Sequence, residues 1–228
     1  MEGTRGFLLN KIITWATAEP SQKNESNTYW VYGLPGIGKP TLAHSISERL
    51  HEQKQLTGTF FCRRDDPDLN EAGNILPTLT PKLAIIFPAF RSIVAKHLRI
   101  DPNVTPESMK DSLLLDLIRS LPRHPAHTLV FVIDALDECG DIRSRLGILR
   151  ALTDAAAQAP WLRIIITSRP EIDIQGFFDA RAHSSHMRYD LAADQEASAD
   201  LRTFAQSEFD FVATRWYIPP LARRITLQ

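Results

Sequence analysis

Neither charge is in excess: 26 Lys and Arg stand against 27 Asp and Glu in 228 residues, a formal net charge of −1. Such a balance gives no electrostatic reason for nucleic acid or an anionic membrane to be the main partner. Cysteine is scarce, with only Cys62 and Cys139. A small disulfide-stapled fold is therefore excluded, and two reduced thiols are expected. No run approaches the roughly 18 apolar residues that a membrane-spanning helix needs. The opening MEGTRGFLLNKIITWA is interrupted by Asn10 and Lys11 and lacks a small-residue cleavage site, so it is a poor signal peptide. The cytosol is the expected compartment, with a mitochondrial presequence as the minor alternative on Arg5, Lys11 and the apolar face. There is no internal repeat and no low-complexity block. His124 and His127, like His183 and His186, have no cysteine pair or carboxylate at zinc spacing. No serine sits in a G-x-S-x-G elbow.

What is present is alternation. Phe7, Leu8, Ile12 and Trp15 mark a short amphipathic helix ending before Pro20, and the polar stretch 21–27 reads as a linker. Apolar, β-branched runs predict strands from Thr28 (TYWVY), at 59–62 after the turn signal Thr57-Gly58, at 128–133, at 162–167 and, more weakly, at 187–191. Between them lie helical patterns. Leu42, Ile46 and Leu50 recur at four-residue steps. A helix opens at Pro106 behind the cap Thr105, and another starts near Ile142 behind Asp141. Pro81 and Pro88 are expected to open two short helices. Strands alternating with helices predict an α/β fold, a mostly parallel five-stranded sheet covered on both faces. The expected organisation is an N-terminal helix and linker (1–27), a core (28–191) and the start of a helical region (192–228) that reads as truncated.

The first strand runs into Gly33-Leu34-Pro35-Gly36-Ile37-Gly38-Lys39-Pro40-Thr41. This approaches G-x-x-x-x-G-K-[ST], in which main-chain N–H groups wrap a phosphate at a helix N-terminus, lysine bridges the outer phosphates and the hydroxyl binds Mg²⁺. Gly33, Gly36, Gly38 and Lys39 are the candidate phosphate-binding residues. Position 40 breaks the pattern, because proline has neither hydroxyl nor N–H. Thr41 is the candidate substitute, although one further step along a helix rotates it by about 100°. The fold can survive the change; metal-dependent chemistry is what suffers.

The third strand ends in Asp134-Ala135-Leu136-Asp137-Glu138-Cys139. An aspartate just past an apolar strand emerges at the sheet's carboxyl edge, where open α/β sheets bind ligands. Asp134 is the candidate Mg²⁺ holder. Asp137 and Glu138 are candidates to orient an attacking water. The fourth strand ends in Thr167-Ser168-Arg169-Pro170, placing Arg169 at the same edge to meet a terminal phosphate.

Together VYGLPGIGK, TFFCRRDDP, LVFVIDALDEC, IIITSRP and the early Thr4-Arg5 resemble NACHT-type P-loop NTPases of the signal-transducing (STAND) class, in particular the nephrocystin-like N-terminal domains of large fungal proteins. The matching pieces span most of residues 3–170. The resemblance implies a P-loop three-layer sandwich that binds ATP or GTP with Mg²⁺. It further implies a switch that rests with the diphosphate and is activated with the triphosphate, often with homo-oligomerisation. In that family an effector precedes the module and sensor repeats follow it. Pro40 departs from the pattern and predicts weakened Mg²⁺ binding and impaired hydrolysis. A competent ATP or GTP hydrolase and a degenerate interaction module without nucleotide are the alternatives left open by the residues.

Overall fold

A computed structural model describes residues 6–19, 26–86, 128–181 and 185–193. The predicted helix behind Thr105, Pro88, the histidines 124, 127 and 183, and nearly all of the tail from 192 lie outside these residues. The described elements run α1 (Gly6–Thr17), β1 (Thr28–Tyr32), α2 (Lys39–Glu52), β2 (Leu56–Phe61), α3 (Ile75–Ile86), β3 (Leu129–Asp134), α4 (Ile142–Gln158), β4 (Leu162–Ser168), α5 (Ile172–Asp179) and β5 (Met187–Asp190).

The strands form one sheet in the order β2-β3-β4-β1-β5, and every pairing is parallel. Period-two alternation divides the side chains between two cores. Tyr29, Val31, Val130, Val132 and Ile165 face α1 and α2, where Leu8, Ile12, Leu42, Ile46 and Leu50 meet them. Trp30, Phe131, Ile133, Ile164 and Ile166 face the opposite layer, with Leu79 of α3, Leu152 of α4 and Phe178 of α5. The helix after β1 thus covers one face and the helix after β4 the other. Since β1 and β4 are neighbours, the connections diverge above them, and a crevice opens at their carboxyl ends.

Three local expectations are corrected. Phe7 does not face the core but is 65% exposed; the buried stripe of α1 is Leu8, Ile12, Ile13 and Ala16. Thr57-Gly58 is not a turn. It lies inside β2, where a Cβ on Gly58 would fall 2.8 Å from Leu79 Cδ2, so the glycine admits α3 against the strand. Pro81 does not open a helix either, because α3 begins at Ile75 and runs through it. Burial of Ile75, Leu76, Leu79 and Leu83 on one face outweighs the cost of the missing hydrogen bond, about 3 kcal/mol.

Candidate functional site

The loop leaving β1 is shaped by its main chain. A Cβ on Gly33 would lie 3.0 Å from Ile37 Cγ2 and 3.1 Å from Leu191 Cβ, so a larger residue would press both neighbours outward. Gly36 (φ 77°) and Gly38 (φ 90°) occupy the left-handed region, which glycine enters without steric cost. Gly38 caps α2, and its carbonyl accepts the Leu42 N–H at 3.1 Å. Pro40 falls in the first turn of α2, where a missing N–H costs the helix nothing. Thr41 is exposed.

Lys39 is 6% exposed. Its ammonium donates to the carbonyls of Gly33 (2.6 Å) and Leu34 (3.0 Å). Burial pulls its pKa below the usual lysine range, opposed by the charges of Asp137, Asp134 and Glu138 and reinforced by Arg169. Among the described residues no carboxylate forms an ion pair with it. The result is a buried cation held by carbonyl dipoles at a helix N-terminus, an arrangement that favours an incoming anion.

The acidic edge is shaped by side chains. Asp134 closes β3 and is 3% exposed. The Thr167 hydroxyl donates to its Oδ1, and the Ala135 N–H donates to that same hydroxyl at 3.0 Å. Burial raises the Asp134 pKa, against the Thr167 hydrogen bond and the Lys39 charge. Ala135 then takes a left-handed conformation (φ 54°), turning the chain into a short 3₁₀ turn, Leu136–Glu138. That turn lays Asp137 against the end of β4. Its Oδ1 accepts the Arg169 main-chain N–H at 2.9 Å, and its Oδ2 pairs with Arg169 Nε at 3.2 Å. Glu138 Oε1 lies 3.4 Å from Arg169 Nη2, and its Oε2 accepts the Arg64 N–H at 3.4 Å. A polar cleft of about 480 Å³ adjoins these acids, bounded by Arg64, Asn70 and Glu171.

Lys39, Asp134, Asp137, Glu138 and Arg169 therefore gather at one sheet edge, while Thr41 stands on the exposed side of α2. Three contributors were missed from sequence. Thr167 holds Asp134; its signal was a hydroxyl directly after the apolar run Ile164, Ile165 and Ile166. Arg145 donates to the Asp137 carbonyl (3.2 Å) and is clamped by Asp173 at 2.7 Å. Nothing in the spacing of Arg145 and Asp173 announced that contact.

The residues present do not fit a complete magnesium cage. Asp134 supplies a carboxylate whose Oδ1 already accepts from Thr167, position 40 offers no side-chain oxygen, and the hydroxyl at 41 is one helical step away.

A glycine-rich strand–helix loop ending in lysine, on a parallel sheet with an aspartate at the carboxyl end of β3, defines a domain of the P-loop NTPase fold. The family model described as "Nephrocystin 3, N-terminal" matches residues 4–169, and the chain belongs to that family. Structural similarity extends to Drosophila ORC bound to DNA (13% identity, TM-score 0.48, covering 82% of this chain and 42% of that one). It extends also to the Walker-type ATPase of Pyrococcus abyssi (16% identity, TM-score 0.47, covering 90% and 58%). The chain thus spans only about half the length of these structures. No curated protein sequence matches it. No described helix is long and apolar enough to cross a membrane.

Proposed function

We propose that the domain is a nucleoside-triphosphate-binding switch module, taking ATP or GTP, with hydrolysis impaired by Pro40. The observation that carries this reading is Lys39, buried and held by main-chain carbonyls with no carboxylate partner among the described residues, at the mouth of a loop whose two left-handed glycines lead into α2. Asp134, Asp137, Glu138 and Arg169 share its edge and act on its charge. In the bound state the loop N–H groups and Lys39 grip the phosphates, Arg169 meets the terminal phosphate, and Glu138 orients water. Asp134 would be the carboxylate nearest to hold a Mg²⁺ ion, which would supply neutralisation of phosphate charge, and the donor set without a hydroxyl at position 40 would hold it weakly. Pro40 removes one hydrogen bond to a charged group, about 1.5–3 kcal/mol, which is roughly ten- to hundredfold in affinity.

Family membership supports a place in a larger signalling protein, with an effector before the module, sensor repeats after it and self-association on activation. Two buried free thiols support a reducing, cytosolic setting. The test is thermal stability with ADP, ATP, GDP and GTP. A ligand that binds only the folded state adds about 2.7 kcal/mol of stability at one hundred times Kd and so raises the melting temperature. A rise for at least one adenine or guanine pair supports the proposal. No rise for any of the four, at millimolar concentration, refutes it and favours a domain that keeps the sheet without the ligand.

A further inference from the structure

Asp137 and Glu138 are consecutive and both meet Arg169, but they hold it differently. The Asp137 side chain is 2% exposed. Its two oxygens take the Arg169 main-chain N–H at 2.9 Å and Nε at 3.2 Å. Its own peptide oxygen is pinned by Arg145 Nη1 at 3.2 Å, and Arg145 is fixed in turn by Asp173. Glu138 is 28% exposed and reaches a single terminal nitrogen at 3.4 Å. A short contact on buried main chain outlasts a long one between half-exposed side chains, because water screens and competes only in the second. Asp137 therefore fixes the root of the guanidinium, and Glu138 touches its loose end.

With each oxygen held by Arg169 and the side chain only 2% exposed, Asp137 is shielded from water. Glu138 is the acid that becomes available when its contact opens. Arg169 follows β4, whose last carbonyl, that of Ser168, accepts the Gly33 N–H at 3.3 Å. Lys39 and Arg169 thus flank the place where an anion entering the loop lies, and a multiply charged terminal phosphate outcompetes one half-exposed carboxylate for a guanidinium.

We propose that Asp137 is a positioning residue for Arg169, and that a terminal phosphate takes the outer guanidinium nitrogen from Glu138, unmasking that acid only when a triphosphate is bound. This rests on the reading that the Lys39 loop takes a nucleoside phosphate. It adds a mechanism by which the edge separates triphosphate from diphosphate: the anchored arginine is shared by Glu138 in one state and by phosphate in the other.

Two measurements on the whole chain test it. The first needs no nucleotide. Melting temperatures of Asp137→Asn, Arg169→Gln and the double variant should be non-additive, whereas Glu138→Gln and Arg169→Gln should add. The second is the ratio of affinities for a non-hydrolysable ATP analogue and ADP. Asp137→Asn should lower that ratio about tenfold, as loss of a charge-assisted contact implies. Glu138→Gln should raise it about threefold, by removing a competitor worth a fraction of a kcal/mol. A merely structural Asp137 would weaken both nucleotides together and leave the ratio unchanged. If Asp137→Asn does not fold, Asp137→Glu, which keeps the charge but displaces it, should lower the ratio in the same direction. An additive cycle for Asp137 and Arg169, or an unchanged ratio in a folded variant, overturns the proposal. A parent protein that binds neither nucleotide while the cycle remains non-additive overturns instead the nucleotide reading and the release of Glu138.

Discussion

The loop after β1 and the edge formed by β3 and β4 face the same crevice but are built in opposite ways. The loop is main-chain architecture: two left-handed glycines, a third glycine against Ile37 and Leu191, and a lysine folded onto carbonyls. The edge is side-chain architecture, with Asp134 held by Thr167 and Asp137 by Arg169. A sequence change in the first acts on shape or on the single anion-seeking charge. In the second it acts on a network whose members compensate for one another. Pro40 is instructive because it removes chemistry from the loop while leaving its shape intact.

The largest effect should come from the loop's charge. Lys39→Met keeps the length of the buried stem and removes the ammonium. It should abolish the nucleotide-induced rise in melting temperature while lowering the unliganded value little, since a desolvated cation goes with it. Loss of stability equal to loss of binding would break the contrast between shape and charge. Next is Pro40→Ser, which restores a hydroxyl and an N–H. Mg²⁺-dependent affinity should rise roughly ten- to hundredfold by titration calorimetry. An unchanged affinity and turnover would remove Pro40 as the cause of weak metal dependence.

Shape is tested at two left-handed residues, one in the loop and one at the acidic edge. Gly38→Ala places a Cβ at φ 90° and should cost about 1–2 kcal/mol, a drop of about 2–8 °C for a chain of this size. Ala135→Gly should change the melting temperature by less than about 2 °C, because relief of the left-handed conformation is offset by the freedom glycine gains in the unfolded chain. Equal effects at the two sites would mean that the conformation at 38 is not required.

The smallest effect is a pH dependence at Asp134. Its folded-state pKa is raised by burial, so its contribution to stability is present below the ordinary aspartate value and lost as pH rises through the raised one. Asp134→Asn should therefore melt higher than the parent at pH 7, with the difference shrinking toward pH 4. A difference that grew on acidification would reverse the sign of the buried-charge argument.

Much of this was legible in the chain. The run TYWVY followed by a glycine-rich loop located β1, the bend and the start of α2, because buried strands and phosphate loops are written in contiguous residues. Asp141 was readable as a cap for the same reason, and its side chain accepts the Ser144 N–H at 2.7 Å. Asp134 and Arg169 could be placed at one edge because both follow apolar strands. The pairing of Asp137 with Arg169 was hidden, since it joins residues 32 apart and depends on β3 and β4 being neighbours, which no local pattern encodes. Gly58 and Pro81 misled for a related reason. Their local meaning is turn and helix start, and packing of α3 on β2 and β3 overrode both.

The most direct test of the central claim is calorimetric titration of the chain with ATP and ADP, each with Mg²⁺ and with chelator in its place. A grip made by main chain and Lys39, with an incomplete metal cage, predicts binding of both nucleotides with affinities that change less than about tenfold when the metal is withdrawn. Binding that vanishes without Mg²⁺, or no binding under either condition, would contradict it.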